Sequence, residues 1–225
     1  MEENKEKQVN TEELKNETVN AVNEVKETIK NVDIKKDTLE TKGFIKEIFT
    51  DPLGKIKEIV ADDSNKSLKY IIIILAIWTI AILISSIFSG SSIWKYSAAG
   101  KVILSIIKSV VAPILSVLAM SVIILIFNKN NKKNLTTIIA AVTTAKVPVV
   151  IASILRLTVL ISSQMSKITT PFTSFCSAIT TVFTYFAIKS ILGTEKNSEF
   201  IKKFVLIEAC YYVAYFVFTF LGIYI

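Results

Sequence analysis

Beyond residue 67 the chain alternates long apolar runs with short polar loops. The runs lie at about 68–88, 102–127, 136–162, 168–192 and 204–225. A bilayer hydrocarbon core of about 30 Å takes about 20 helical residues at 1.5 Å each, and each run reaches that length. The pattern predicts an all-α integral membrane bundle of about five transmembrane helices, filling a membrane domain at 67–225. The third run is the least regular, because Lys146-Val147-Pro148 falls near its middle. It reads as one long span, as a span that starts after Lys146, or as two broken pieces. Pro113 and Pro148 are expected to be helix kinks, which spanning helices tolerate when neighbours satisfy the freed backbone groups.

The first 67 residues have a different pattern. Residues 1–42 are rich in Glu, Lys, Asn and Thr, with Val19, Val22, Val25, Ile29 and Val32 at three- and four-residue spacing. Two weak heptads do not make a coiled coil, so a disordered or transiently helical tail is expected, with a partner-binding helix as the alternative. Residues 43–66 are amphipathic. Phe44, Ile45, Ile48, Phe49, Leu53, Ile56, Ile59 and Val60 form an apolar stripe, and charged residues take the other face. Asp51 suits an N-cap and Pro52 the first helical position, so a second short helix is expected to start there. Such a pair, with Phe44, Ile48, Phe49, Pro52, Leu53 and Ile56 as its interfacial residues, is expected to rest on the inner leaflet. Docking against the bundle is the alternative.

Charge sharpens this division. Residues 1–67 carry 12 Lys and 16 acids, a net of −4, and residues 68–225 carry 14 Lys+Arg and 3 acids, a net of +11. The overall +7 therefore does not mark a nucleic-acid surface, because the cations flank apolar blocks. The loops holding Lys129, Lys132 and Lys133, and Lys196, Lys202 and Lys203, fall on the side of the N-terminus, with Lys55, Lys57, Lys66 and Lys69 before the first span. By the positive-inside rule that side is cytoplasmic, and five spans put the C-terminus outside a cell membrane. Tyr70, Trp78, Trp94, Tyr96, Tyr211, Tyr212 and Tyr224 are expected mostly at the membrane interfaces.

There is no histidine. His general bases, Ser-His and Cys-His pairs and His-based zinc sites are thereby excluded. Cys176 and Cys210 are far apart in apolar segments and read as buried hydrophobes. No catalytic residue, cofactor site or metal site is identified, and no enzyme is expected. The ionisable residues within the spans are the remaining candidates. Lys108, Arg156 and Lys189 lie near span ends and can snorkel. Lys146 lies near the midplane, and Glu208, the lone acid in any span, is placed about one turn inside the last one. A Lys146–Glu208 or Lys189–Glu208 ion pair is expected. A polar path for an ion or proton, or a boundary that moves Lys146 to the interface, are the alternatives. The hydroxyls of the third and fourth runs are expected to serve helix packing.

Three features resemble the Ypt/Rab-interacting protein (YIP) family in its bacterial branch. They are the aromatic-proline-amphipathic stretch FIKEIFTDPLGKIKEIV at 44–60, five closely spaced spans after it, and TTAKVP at 143–148 in the third. The resemblance implies a helical membrane domain with a cytoplasmic N-terminus, and in eukaryotic members vesicle traffic and small-GTPase binding. The Asp-Leu-Tyr-Gly-Pro string of those members is absent, and Asp51-Pro52-Leu53-Gly54 is not its equivalent. GTPase binding is therefore not carried over. The expected function is non-enzymatic membrane organisation or scaffolding. The partners are the bilayer, a protein that meets the tail, or a second copy of the chain. A small transporter, channel or accessory subunit with a polar site around Lys146 and Glu208 is the second hypothesis.

Overall fold

The structure is a computed structural model and describes residues 2–62, 67–89, 99–128, 133–193 and 197–221. Lys66, Trp94, Lys95, Tyr96, Lys129, Lys132, Lys196 and Tyr224 lie outside the described residues. The described chain is helical without strands. Three helices precede the spans: α1 (Glu2–Lys30), α2 (Ile34–Thr50) and α3 (Pro52–Ala61). Five follow: α4 (Leu68–Ser89), α5 (Ala99–Phe127), α6 (Leu135–Arg156), α7 (Ser166–Leu192) and α8 (Asn197–Phe220). Two short 3₁₀ turns, Leu157–Leu160 and Ser163–Met165, join α6 to α7. All five of these helices are long and apolar enough to cross a membrane.

Local chemistry sets the helix ends. The Asp33 carboxylate accepts the Lys35 and Lys36 N–H groups at 3.1 Å each. In return, Asp37 accepts the Asp33 N–H at 2.9 Å. This reciprocal cap starts α2 well upstream of residue 43, so the helix runs unbroken through the polarity change. Asp51 caps α3 by accepting the Gly54 N–H at 2.9 Å, with Pro52 in the first turn. Asn134 caps α6 by accepting the Thr137 N–H at 2.9 Å. Helix α6 continues through Lys146-Val147-Pro148 without a break, so the third span is one piece.

Helix α6 is the centre of the bundle. It packs against α4, α5 and α7, and its first half also meets α1 and α3. Every residue from Leu135 to Ala145 is buried. Without a hydrophobic drive between helices in lipid, close packing has to come from small side chains. Ala140, Ala141, Ala145 and Ala152 on α6 and Ala187 on α7 supply them, all at 5% exposure or less. Helix α8 is peripheral, touching α5 and α7. Only 11% of its apolar window is buried, against 67% for the window on α6.

The N-terminal helices dock on the ends of the bundle nearest the start of α4. Helix α2 lies along α4, and α3 packs on α6 and α7. Ile48, Ile56, Ile59 and Val60 enter the common core with Phe44. The Phe44 ring stacks on Tyr70 at 5.0 Å. Burial of an isoleucine otherwise left in water contributes about 1.5–3 kcal/mol, so this face contributes strongly to holding the layer in place.

Candidate functional site

Two polar groupings stand out. The first is inside the bundle. Ser116 lies about three turns before the end of α5, Lys146 about three turns after the start of α6, and Tyr211 about four turns after the start of α8. Alternating helix directions bring these three to one depth. The Tyr211 hydroxyl is 2.7 Å from the Ser116 hydroxyl, and this contact is buried. The Lys146 ammonium donates to the same phenol oxygen in a long contact of 3.5 Å. It also lies 5.0 Å from the Tyr211 ring centroid, a cation–π geometry. One phenol therefore links three spans: it accepts from Lys146 and meets Ser116.

This arrangement corrects several expectations. Among the described residues no direct salt bridge joins Lys146 to Glu208: the ammonium is near enough to attract that carboxylate, but its close contacts are with Tyr211. Lys189 does not reach Glu208 either. Its ammonium sits over the Tyr185 and Phe200 rings at 5.8 and 5.9 Å, near the end of α7. Helix α8 begins at Asn197, so Glu208 lies about three turns from the helix start and about one turn before Tyr211. Tyr211 is not interfacial, being 9% exposed within the bundle, and Trp78, 6% exposed in mid-α4, is also buried. Tyr211 was legible only as an aromatic. Its hydroxyl matters because it both accepts from the Lys146 ammonium and meets the Ser116 hydroxyl.

Pro113 and Pro148 lie inside α5 and α6 and are buried. Many hydroxyls near them are satisfied by their own helix. Thr144 donates to the Ala140 carbonyl at 2.8 Å, and Thr173 to Thr169 at 2.7 Å. Thr136, Thr137, Thr143, Thr180 and Thr184 are buried among packed side chains. The hydroxyls of Ser121, Thr143 and Thr180 have no partner among the described residues.

The second grouping fastens the N-terminal layer. The Lys69 ammonium lies 2.9 Å from Asp37 and 2.8 Å from Glu40. The Tyr70 hydroxyl donates to Glu40 at 2.9 Å. Hydrogen bonding from Lys69 is the main reason that the Asp37 and Glu40 carboxyls are held below their usual range, and Tyr70 adds to it at Glu40. The Thr136 hydroxyl donates to Glu24, tying α1 to α6. Lys69 is a lone edge charge in the sequence; its partners, about thirty residues upstream, become visible only once α2 lies beside α4.

Of the amphipathic residues, Phe44, Ile48 and Ile56 face the bundle, at 4%, 0% and 0% exposure, whereas Phe49 and Leu53 face outward at 44% and 37%. Pro52 is half-buried between them. Lys55 bridges Glu47 at 2.7 Å and Glu58 at 3.0 Å. Burial pulls its ammonium down, but the two carboxylates outweigh that and hold it above the usual lysine value.

Among the described residues no group of His, Cys, Asp and Glu has the clustering to hold a metal ion. Cys176 and Cys210 are free thiols. No curated protein and no solved structure matches the chain. The model of the Yip1 domain matches residues 46–221, and this, with the five apolar helices and the amphipathic lead-in, makes the chain a member of the YIP family of membrane proteins.

Proposed function

We propose that the chain is a non-enzymatic scaffold of the cell membrane. Its five-helix bundle anchors a layer of helices, α1 to α3, that offers partners a fixed surface on the cytoplasmic side. The observation that carries this reading is the way the layer is fastened. Lys69 holds Asp37 and Glu40, Phe44 stacks on Tyr70, and α3 buries Ile56, Ile59 and Val60 against α6 and α7. A free tail would position nothing. A layer joined to the spans keeps one orientation relative to the membrane. The interior supports the same reading. Lys146 is held by Tyr211, and the surrounding α6 residues, from Leu135 to Ala145, are buried on every side. That environment suits a structural brace better than a hydrated path.

The test is reconstitution of the full chain into sealed vesicles loaded with pH-sensitive and salt-sensitive dyes. A scaffold leaves proton and ion flux at the level of protein-free vesicles. Flux that depends on the chain and is abolished by Lys146→Met would overturn the reading in favour of transport. In parallel, the chain lacking residues 2–30 should keep its place in the membrane but lose the partners that co-purify with the intact chain.

A further inference from the structure

The elbow between α2 and α3 has a depth that its sequence does not reveal. The Phe49 ring, at the end of α2, packs on the Phe183 ring of α7 at 6.2 Å between centroids. Phe183 is about 14 Å along α7 from its end at Leu192, and about 9 Å beyond the exposed Lys189. Lys189, exposed and the last charged residue of α7, marks the approach of that helix to headgroup level. The elbow therefore reaches past that level along the side of a spanning helix. A second observation agrees. The first half of α6 is buried on every side, and α3 is one of the helices that covers it.

We infer that the α2–α3 elbow is set into the phospholipid leaflet on the N-terminal side, with Phe49 and Leu53 against acyl chains and Lys46 and Lys57 at phosphate level. The occupant of this face follows from its surroundings. Val182, next to Phe183, is 49% exposed on the flank of α7, and at that depth the medium around a span is lipid. The residue pattern fits. Lys46 lies three residues before Phe49 and Lys57 four after Leu53, so each exposed apolar side chain shares a helix face with an exposed lysine one turn farther from the tip. The remaining charges are arranged to make this bearable. Glu47 and Glu58 are both paired with Lys55. Asp51, at the tip, accepts the Gly54 N–H at the start of α3. An exposed carboxylate there limits insertion to the boundary of headgroups and chains, the depth typical of amphipathic helices, about 5–10 Å. The inference rests on the reading of the five helices as membrane spans.

The experiment places a benzophenone amino acid at position 49 or 53 of the full chain, in phosphatidylglycerol–phosphatidylcholine vesicles, and weighs the photoproducts by intact-protein mass spectrometry. Position 216 on α8, where Phe216 is 71% exposed, is the lipid control. Position 20 on α1, exposed Asn20, is the aqueous control. Phospholipid adducts at 49 and 53 within about threefold of those at 216, and about tenfold above those at 20, are the expected result for an interfacial segment. Yields at 53 equal to those at 20, or crosslinks to a second copy in place of lipid, would overturn the inference. Loss of lipid adducts at 216 would instead refute the spans themselves. Should either substituted chain misfold, Phe49→Trp in a Trp78→Phe, Trp94→Phe background gives the same answer. Its fluorescence is quenched by chain-brominated lipid if the elbow is inserted, and unquenched if the inference is wrong.

Discussion

Replacing Tyr211 with Phe removes one oxygen and leaves the ring in place. In the native chain that oxygen meets the Ser116 hydroxyl at 2.7 Å and receives a weaker donation from Lys146 at 3.5 Å. Ser116 is 3% exposed, so neither water nor lipid headgroup can take over the lost bond. Hydrogen bonds between membrane helices contribute about 0.6 kcal/mol on average and about 1.7 at most in double-mutant cycles. The short, buried Ser116–Tyr211 contact belongs in the upper half of that range, and the long Lys146 contact adds little, because the ammonium keeps the ring face. Tyr211→Phe should therefore destabilise the bundle by about 1–2 kcal/mol, which includes the cost of a stranded serine. Ser116→Ala should cost about 1 kcal/mol. The double variant should fall short of the sum by about 1 kcal/mol, about fivefold in the unfolding equilibrium. Reversible denaturant titration in mixed micelles measures all three, with Tyr212→Phe as the control, since Tyr212 is 66% exposed and should have no effect. Strict additivity of Tyr211→Phe and Ser116→Ala, within about 0.3 kcal/mol, would show that the two hydroxyls do not interact and would remove the link between α5 and α8.

Four further outcomes can be checked. A Cβ on Gly54 would sit 2.0 Å from an Asp51 carboxylate oxygen. Gly54→Ala should thus lose the cap, about 1 kcal/mol, and regain about as much in helix propensity; in an Asp51→Ala background only the gain remains, as hydrogen exchange of the α3 amides will show. Asp37 and Glu40 have folded values held below the ordinary 3.8 and 4.5. Their contribution is complete above that range and is lost as pH falls through the depressed values, so proteolysis between α1 and α2 should accelerate below about pH 4. Replacing Lys69 with Met should produce the same protease sensitivity at neutral pH. Asp37→Asn should exceed Glu40→Gln in this assay, because the Asp37 side chain is 7% exposed and that of Glu40 37%.

Span number was legible because length and hydropathy are one-dimensional properties, and so was the break at Asp51-Pro52, a local signal of capping chemistry. The start of α2 was legible in principle, since Asp33 and Asp37 form a reciprocal cap, but the polar composition of residues 1–42 drew attention from it. The partners of Lys69 and Lys146 were not legible. Lys146 is the nearest cation in depth to Glu208, and charge alone favours that pair. Which group it meets depends on the rotation of α6 and α8 about their axes, and the almost uniformly apolar surface of a span carries little periodic signal to fix that rotation. Tyr211 was hidden for the same reason, since an aromatic near other aromatics reads as a belt residue until helix rotation turns it inward.

The docking of α3 on α7 has a consequence for biosynthesis. Phe49 meets Phe183, a residue made about 130 positions later. At about 5–20 residues per second, that is a wait of roughly 7–26 s. Throughout it, α3 has been synthesised but the α7 side of its seat has not. Ile56 and Ile59 of α3, fully covered in the finished protein, spend that interval without part of their cover. A ribosome that pauses within α7 would prolong the exposure, and one that stops before it would release a chain in which α2 can lie along α4 but α3 lacks half of its seat.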